Sequence, residues 1–373
     1  MQTKELQNTF DRLLSFAGIN INGNNPTDIR IKDDRAYKKI LVYGSLGLGE
    51  SYMDEWWECD RIDEMINKIL RAELDKKIKI NIKMLWNLLT PRIFNLQSKK
   101  RALQIGERHY NLGNELFKNM LDERMVYSCA YWEDAQTLDE AQEKKLDLIC
   151  KKLNIQSGMR ILDIGCGWGS FIKYAAEKYN TLAVGITVSK EQVEFGRKLC
   201  AGLPIEIRLQ DYREINERFD RIVSIGMIEH VGYKNYRTFM EKVFDCLNDN
   251  GLFLLHTIGG NISVKYNDPW SDKYIFPNSM LPSIEQLAAA FEGLFVMEDW
   301  QNISTNYDKT LMVWFENFNS NWSNMQHLYD KRFYRMWKFF LLSSAGAFRA
   351  RKNQVWQIVL SKGKITGGYR ITQ

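Results

Sequence analysis

A chain of 373 residues, 45% hydrophobic and 26% charged, has the balance of a folded globular protein with room for two domains, which excludes disordered and fibrous classes. Six cysteines (59, 129, 150, 166, 200 and 246) include no CxxC pair, and four histidines form no HExxH or tight His/Cys cluster. That argues for reduced thiols and against a metal site. The net charge of +5 is uneven: residues 61–101 hold eleven Lys/Arg against four Asp/Glu, which leaves the remainder near neutral. Such a run suits an anionic surface, phospholipid or nucleic acid, or else is a solvated helix face. The polar start has no signal-peptide apolar core. The longest apolar stretch, 337–348, is interrupted by Ser343, Ser344 and Gly346 and is too short to span a bilayer.

In chain order, Leu6, Phe10, Leu13 and Leu14 have helical spacing, and a turn follows at 22–26. The glycines of 44–49 follow no strand and read as a turn rather than a phosphate loop. Helical patterns run through Ile62, Met65, Ile66, Ile69 and Leu70, and again near Ile82, Leu85 and Trp86. Residues 1–98 thus read as a small, mainly helical domain and 99–373 as a second one. In the second, apolar runs at 161–164, 182–187, 205–209, 221–225 and 252–257 alternate with helical segments. Later come a strand near 295–299, helices through 310–346 and a last strand at 354–360. This predicts an α/β fold: a seven-stranded, Rossmann-like sheet with helices on both faces and a ligand site beyond the carboxyl ends of the strands.

Residues 160–170 form a strand, a Gly-rich turn and a helix start, with Asp163, Gly165, Cys166, Gly167 and Gly169 in the turn. A dinucleotide site wants GxGxxG, but here the third glycine arrives one residue early. Asp163 would repel a pyrophosphate yet suits the cationic end of S-adenosylmethionine. The second strand ends without an acid to grip a ribose, so Thr187 and Gln192 would supply neutral hydrogen bonds. A purely structural turn is the other reading.

Further motifs identify a resemblance. They are Tyr127-Ser-Cys-Ala-Tyr-Trp132, His109-Tyr-Asn-Leu-Gly-Asn114, Leu162-Asp-Ile-Gly-Cys-Gly-Trp-Gly169 and Gly226-Met-Ile-Glu-His-Val-Gly232, with Phe253-Leu-Leu-His-Thr-Ile-Gly259, Lys273-Tyr-Ile-Phe-Pro-Asn278 and Ala345-Gly-Ala-Phe-Arg-Ala-Arg351. Together with the 44–60 and 94–101 segments, they resemble the bacterial cyclopropane-fatty-acyl-phospholipid synthases over nearly the whole chain. The resemblance implies a class I methyltransferase fold and an enzyme that uses S-adenosylmethionine to add a methylene across a cis double bond of a phospholipid acyl chain. The alternative is a lipid C-methyltransferase giving methyl- or methylene-branched chains.

Carried over by motif, Tyr127, Ser128, the 162–170 loop, Thr187, Gln192, Asp211 and Tyr212 would contact the cofactor. Cys129, Glu229, His256, the main chain of Ile258 and Tyr307 would hold a bicarbonate ion. The resemblance also implies unsaturated phospholipid as substrate, no nucleic acid, peripheral contact with the inner face of the cytoplasmic membrane from the cytoplasm, and a homodimer. Two positions depart from the pattern: Asn111 stands where relatives often carry Asp, and Ser344 where they carry Cys.

The chemistry gives these groups work. Methyl transfer to an alkene leaves positive charge on the acyl chain, which demands a dry pocket and a nearby base. An ionised Glu229 would repel bicarbonate, so it is expected to share a proton with that ion or with His256. Blander readings exist: Glu229 and His230 as caps of the next helix, His256 as a core histidine, Cys129 as a small buried residue. Arg349 and Arg351 read either as phosphate ligands or as helix C-terminal cations.

Overall fold

The computed structural model describes residues 3–74, 113–363, 365 and 367–371. The helical pattern at 82–86, His109, Asn111, the 94–101 motif, most of the basic run and the 98/99 boundary lie outside the described residues. The chain divides into two compact units that do not follow one cut in the sequence. One gathers the described N-terminal residues with Lys265–Pro277 and Tyr307–Asn353; the other holds the rest.

The first unit is mainly helical. It contains Thr3–Ser15, Arg35–Tyr43, Ser45–Met53, Ile62–Arg71, Pro269–Tyr274 and Lys331–Arg349, with a small ribbon pairing Arg30–Ile31 to Trp57–Glu58. The 44–49 glycines are not the turn expected of them. Only Gly44, at φ 57°, breaks the chain, and Gly47 and Gly49 lie inside the helix Ser45–Met53. A Cβ on Gly47 would stand 2.1 Å from the Lys39 carbonyl oxygen, so its absence lets two helix backbones touch. Gly346 does the same for Lys331–Arg349 against Ile62–Arg71, where a Cβ would lie 2.3 Å from the Asp63 carbonyl oxygen. Between these helices, Arg349 bonds Asp63 (2.6 Å), Glu64 (2.7 Å) and Asp308 (2.7 and 2.8 Å). It ends its helix, but these carboxylates take up its guanidinium and no phosphate role is left to it.

The second unit carries the sheet. Its strands are β1 (Arg160–Ile164), β2 (Leu182–Thr187), β3 (Ile205–Leu209), β4 (Phe219–Ile225), β5 (Leu247–Gly260), β6 (Val296–Asn302) and β7 (Asn353–Ser361). Among the described residues they lie in the order 3-2-1-4-5-7-6. The pairs 3-2, 2-1, 1-4 and 4-5 are parallel and 7-6 is antiparallel.

Successive side chains in a strand point to opposite faces. Leu162 and Ile164 therefore pack on one side with Phe239, Met240 and Val243 of the helix Tyr236–Cys246. Ile161 packs on the other with Leu146, Ile149, Phe171 and Ile172. Burial on both faces explains why these strands read as continuous apolar runs. β5 begins earlier than its apolar run suggests. Its pairing with β4 jumps from Phe219↔Leu247 to Arg221↔Leu252, so a bulge absorbs the turn-forming Asn248–Gly251 stretch within the strand.

Candidate functional site

A pocket in the second unit opens beyond the carboxyl ends of β1 to β4. It begins with the turn after β1. There Gly165 takes φ 83°, and a Cβ would fall 2.7 Å from Met227, so only glycine lets the backbone close over the site. Tyr127, Ser128, Asp163, Gly165, Cys166, Gly167, Thr187, Gln192, Asp211 and Tyr212 all line this pocket. Gly169 does not. At φ 89° it starts the helix Ser170–Tyr179, with its Cα against Ile207 and Cys200, and its part is packing.

At the end of β2, Thr187 donates its hydroxyl to Gln192 Oε1 at 2.6 Å. The Gln192 amide nitrogen remains as a neutral donor where other nucleotide folds place an acid. Asp211 is arranged differently from that pair. Both its oxygens accept from Arg213, at 2.8 and 2.7 Å, and Arg213 also lines the pocket. Tyr127 stands edge-on to Phe117, 5.0 Å between centroids, and Phe117 in turn packs on Trp168 of the pocket wall.

Glu229 lies in a short 3-10 turn after β4, and His256 on β5 opposite Ile225. Glu229 Oε1 accepts from the Ile258 amide at 2.7 Å, so that amide is already engaged. Oε2 is buried and has no hydrogen-bond partner among the described residues. Burial pushes the Glu229 pKa up to about 7 against the backbone hydrogen bonds that lower it. His256 is 2% exposed with Nδ1 3.4 Å from Gln357 Nε2. Burial, reinforced by Lys145 and Lys152, holds it well below the usual imidazole range, so it is neutral. Cys129 is buried with its thiol 3.3 Å from the Ala130 carbonyl oxygen. Tyr307 belongs to the other unit, where its ring lies 4.7 Å from Phe348. Glu229 does not cap the next helix; Asn235 occupies that position.

Sequence reasoning passes over three polar pocket residues, Lys145, Gln210 and Arg213, and gives a fourth, His230, only the reading of a helix cap. Burial lowers the His230 pKa to about 4. The signal for Lys145 is a lysine on the helix face that also carries Ala141, Gln142, Leu146 and Ile149, all buried. Arg213 is legible only as a base two residues after an acid.

Strand order 3-2-1-4-5-7-6, a glycine turn after β1 and a pocket over β1 to β4 define a class I S-adenosylmethionine-dependent methyltransferase. The sequence profile described as "Mycolic acid cyclopropane synthetase" matches residues 97–358. The Escherichia coli (strain K12) cyclopropane-fatty-acyl-phospholipid synthase is 52% identical over 97% of this chain and 95% of its own. Among solved structures, the cyclopropane synthase MmaA2 from Mycobacterium tuberculosis matches with TM-score 0.65 and 31% identity, covering 70% of this chain and 98% of that one. Mycolic acid cyclopropane synthase CmaA1 complexed with SAH and CTAB matches with TM-score 0.65 and 32% identity, over 70% and 98%. The chain belongs to the cyclopropane synthase family and, within it, to the cyclopropane-fatty-acyl-phospholipid synthases.

Proposed function

We propose that this protein converts the cis double bond of an unsaturated phospholipid acyl chain into a cyclopropane, with S-adenosylmethionine as methylene donor. The observation that carries the reading is the similarity to a phospholipid-modifying synthase along 97% of the chain. Bound S-adenosylmethionine supplies the methyl that the alkene takes up, leaving positive charge on the acyl chain. Gln192 and the glycine turn orient the donor, and the apolar wall of Phe171, Ile186, Met227 and Val231 keeps out water that would trap the charge as an alcohol.

Ring closure requires a base against the new methyl group. A bicarbonate ion fits the donor set: Glu229 Oε2 is buried without a partner among the described residues and near its pKa, and His256 is a neutral donor and acceptor. A protonated Glu229 donates to the anion instead of repelling it. Cys129, Ile258 and Tyr307 complete the proposed set by resemblance; Ile258 would have to exchange its bond to Glu229 or contribute through its carbonyl.

At the cell level, we place the enzyme in the cytoplasm, peripherally on the inner face of the cytoplasmic membrane and as a homodimer. Residues 1–98 would serve lipid association and 99–373 the chemistry. Among the described residues no helix is long and apolar enough to cross a membrane. Exchanging Lys76, Lys77, Lys79 and Lys83 for Gln should weaken binding to anionic vesicles while S-adenosylmethionine binds as before; unchanged vesicle binding rejects the basic run as the anchor.

The deciding experiment incubates the protein with unsaturated phospholipid vesicles and methyl-labelled S-adenosylmethionine, then analyses the acyl chains by mass and proton NMR. Cyclopropane protons carrying label support the reading. Labelled methyl or methylene branches move it to a lipid C-methyltransferase, and no label rejects the lipid assignment. Glu229→Gln should cut turnover by about 100-fold or more while S-adenosylmethionine still binds.

A further inference from the structure

The helix Leu138–Lys152 turns an unusual residue inward. A capping box between Thr137 and Glu140 fixes its start, and its buried face carries Lys145 at 0% exposure. An ammonium group so placed is costly unless something uses its charge. Lys145 Nζ donates to Ser128 Oγ at 2.9 Å. One turn earlier, Gln142 Nε2 donates to the carbonyls of Val126 (3.3 Å) and Ser128 (2.9 Å), so the same helix face holds the whole 126–128 segment. Lys145, Ser128 and Asp163 line one pocket, and Asp163 Oδ1 is buried without a hydrogen-bond partner among the described residues.

We infer that Lys145 is a positioning residue of the cofactor pocket: it aims the Ser128 hydroxyl and, by its charge, favours an anionic Asp163 facing the ammonium end of the methionyl group. The inference rests on the S-adenosylmethionine reading above. The electrostatics agree in sign. Burial raises the Asp163 pKa to about 7 and Lys145 opposes that rise. Burial lowers Lys145 to about 8, opposed by Asp122, Cys129 and Asp163. Asp122 is itself raised to about 6 by burial while accepting from the amides of Val126 and Arg124. Cys166, whose thiol senses Asp163, and His256, which senses Lys145, also act here, and Asp211, Arg213 and His230 line the same pocket. Without the lysine, Asp163 would hold its proton to higher pH, and its anionic form would be the minor one at neutral pH.

The test is the dissociation constant for S-adenosylmethionine, by calorimetry from pH 6 to 9, in the full-length protein and its variants. Lys145→Met should weaken binding at pH 7 by about fivefold, the loss of ionised Asp163 when a pKa near 7 rises by one unit, and move the midpoint of the pH dependence upward. Lys145→Arg should return the midpoint toward the wild-type value. In an Asp163→Asn background Lys145→Met should lose most of its effect. Ser128→Ala, which leaves the lysine in place, should weaken binding without moving the midpoint, and it serves if Lys145→Met does not fold. Wild-type affinity and pH profile in Lys145→Met overturn the inference, as does an undiminished loss in the Asp163→Asn background or a shifted midpoint in Ser128→Ala. A wild-type protein that does not bind S-adenosylmethionine overturns the cofactor reading and this inference together.

Discussion

Asp63 of the helical unit and the pair Asp163 and Glu229 of the sheet unit are buried carboxylates held in opposite ways. In the helical unit, burial alone would raise the pKa of Asp63, whose side chain is 1% exposed; bonds from Arg61 and Arg349 outweigh it and hold the group below the usual carboxylate range. In the sheet unit, Glu229 and Asp163 are as deeply placed, yet each keeps one oxygen without a partner among the described residues, and burial carries both to about 7. A carboxylate with both oxygens engaged, as in Asp63, can serve the scaffold alone. One left short of partners inside the protein is poised for something that arrives from outside.

The sharpest way to break this comparison is Arg349→Met. It leaves Asp63 with Arg61 alone and takes from Asp308 both bonds to the guanidinium, and should cost about 3 kcal/mol in urea denaturation while affinity for S-adenosylmethionine in the folded protein is unchanged. A loss of lipid or cofactor binding with full stability would instead make Arg349 a ligand group.

Next in size is a contrast in pH dependence. A group with its folded pKa raised, such as Glu229, favours the fold at low pH and withdraws that stability as pH climbs from its ordinary range to about 7. Glu229→Gln should therefore be more stable than wild type at pH 8, by about 2–4 °C in melting temperature, with the gain vanishing toward pH 5. Asp63 has the depressed pKa, so its stabilisation is present at neutral pH and lost as pH falls through the folded value. Asp63→Asn should accordingly be less stable than wild type at pH 7, with the deficit shrinking in acid. The smallest effect is expected of Thr137→Ala, which removes one half of a capping box: at most about 1 kcal/mol, with binding intact.

Much of the sheet is legible in the sequence because its strands are buried on both faces and their apolar runs are continuous. β5 reads too short because Asn248, Asp249 and Asn250 look like a turn, and only the bulge opposite β4 keeps them in the strand. The pocket is legible where glycine spacing dictates backbone geometry, as at Gly165 and Gly167. Gly169 obeys the same spacing for a different cause, helix initiation against Ile207, which no local pattern distinguishes. Lys145 and Arg213 escape because their meaning depends on what lies across the fold: Ser128 is 17 residues from Lys145, on another segment. The helix at 45–53 is hidden for the reverse reason. Gly47 and Gly49 lower helix propensity, and only close packing against Lys39 and Trp270 repays them.

The close approach at Gly346 has a consequence for how the protein is made. The helix Ile62–Arg71 meets a partner, Lys331–Arg349, that follows it by roughly 260 residues. On a ribosome adding ~5–20 residues per second, the earlier helix leaves the tunnel roughly 15 to 50 seconds before its partner exists. Throughout that interval the apolar faces of Met65 and Ile66, and the carboxylate of Asp63, have nothing of that helix to close against. The sheet unit, whose first five strands are consecutive, can assemble most of itself meanwhile. The helical unit is begun first in the chain yet is closed only when Lys331–Arg349 emerges, just ahead of the sheet's last strand β7, so its early helices are the part that waits longest for a partner during synthesis.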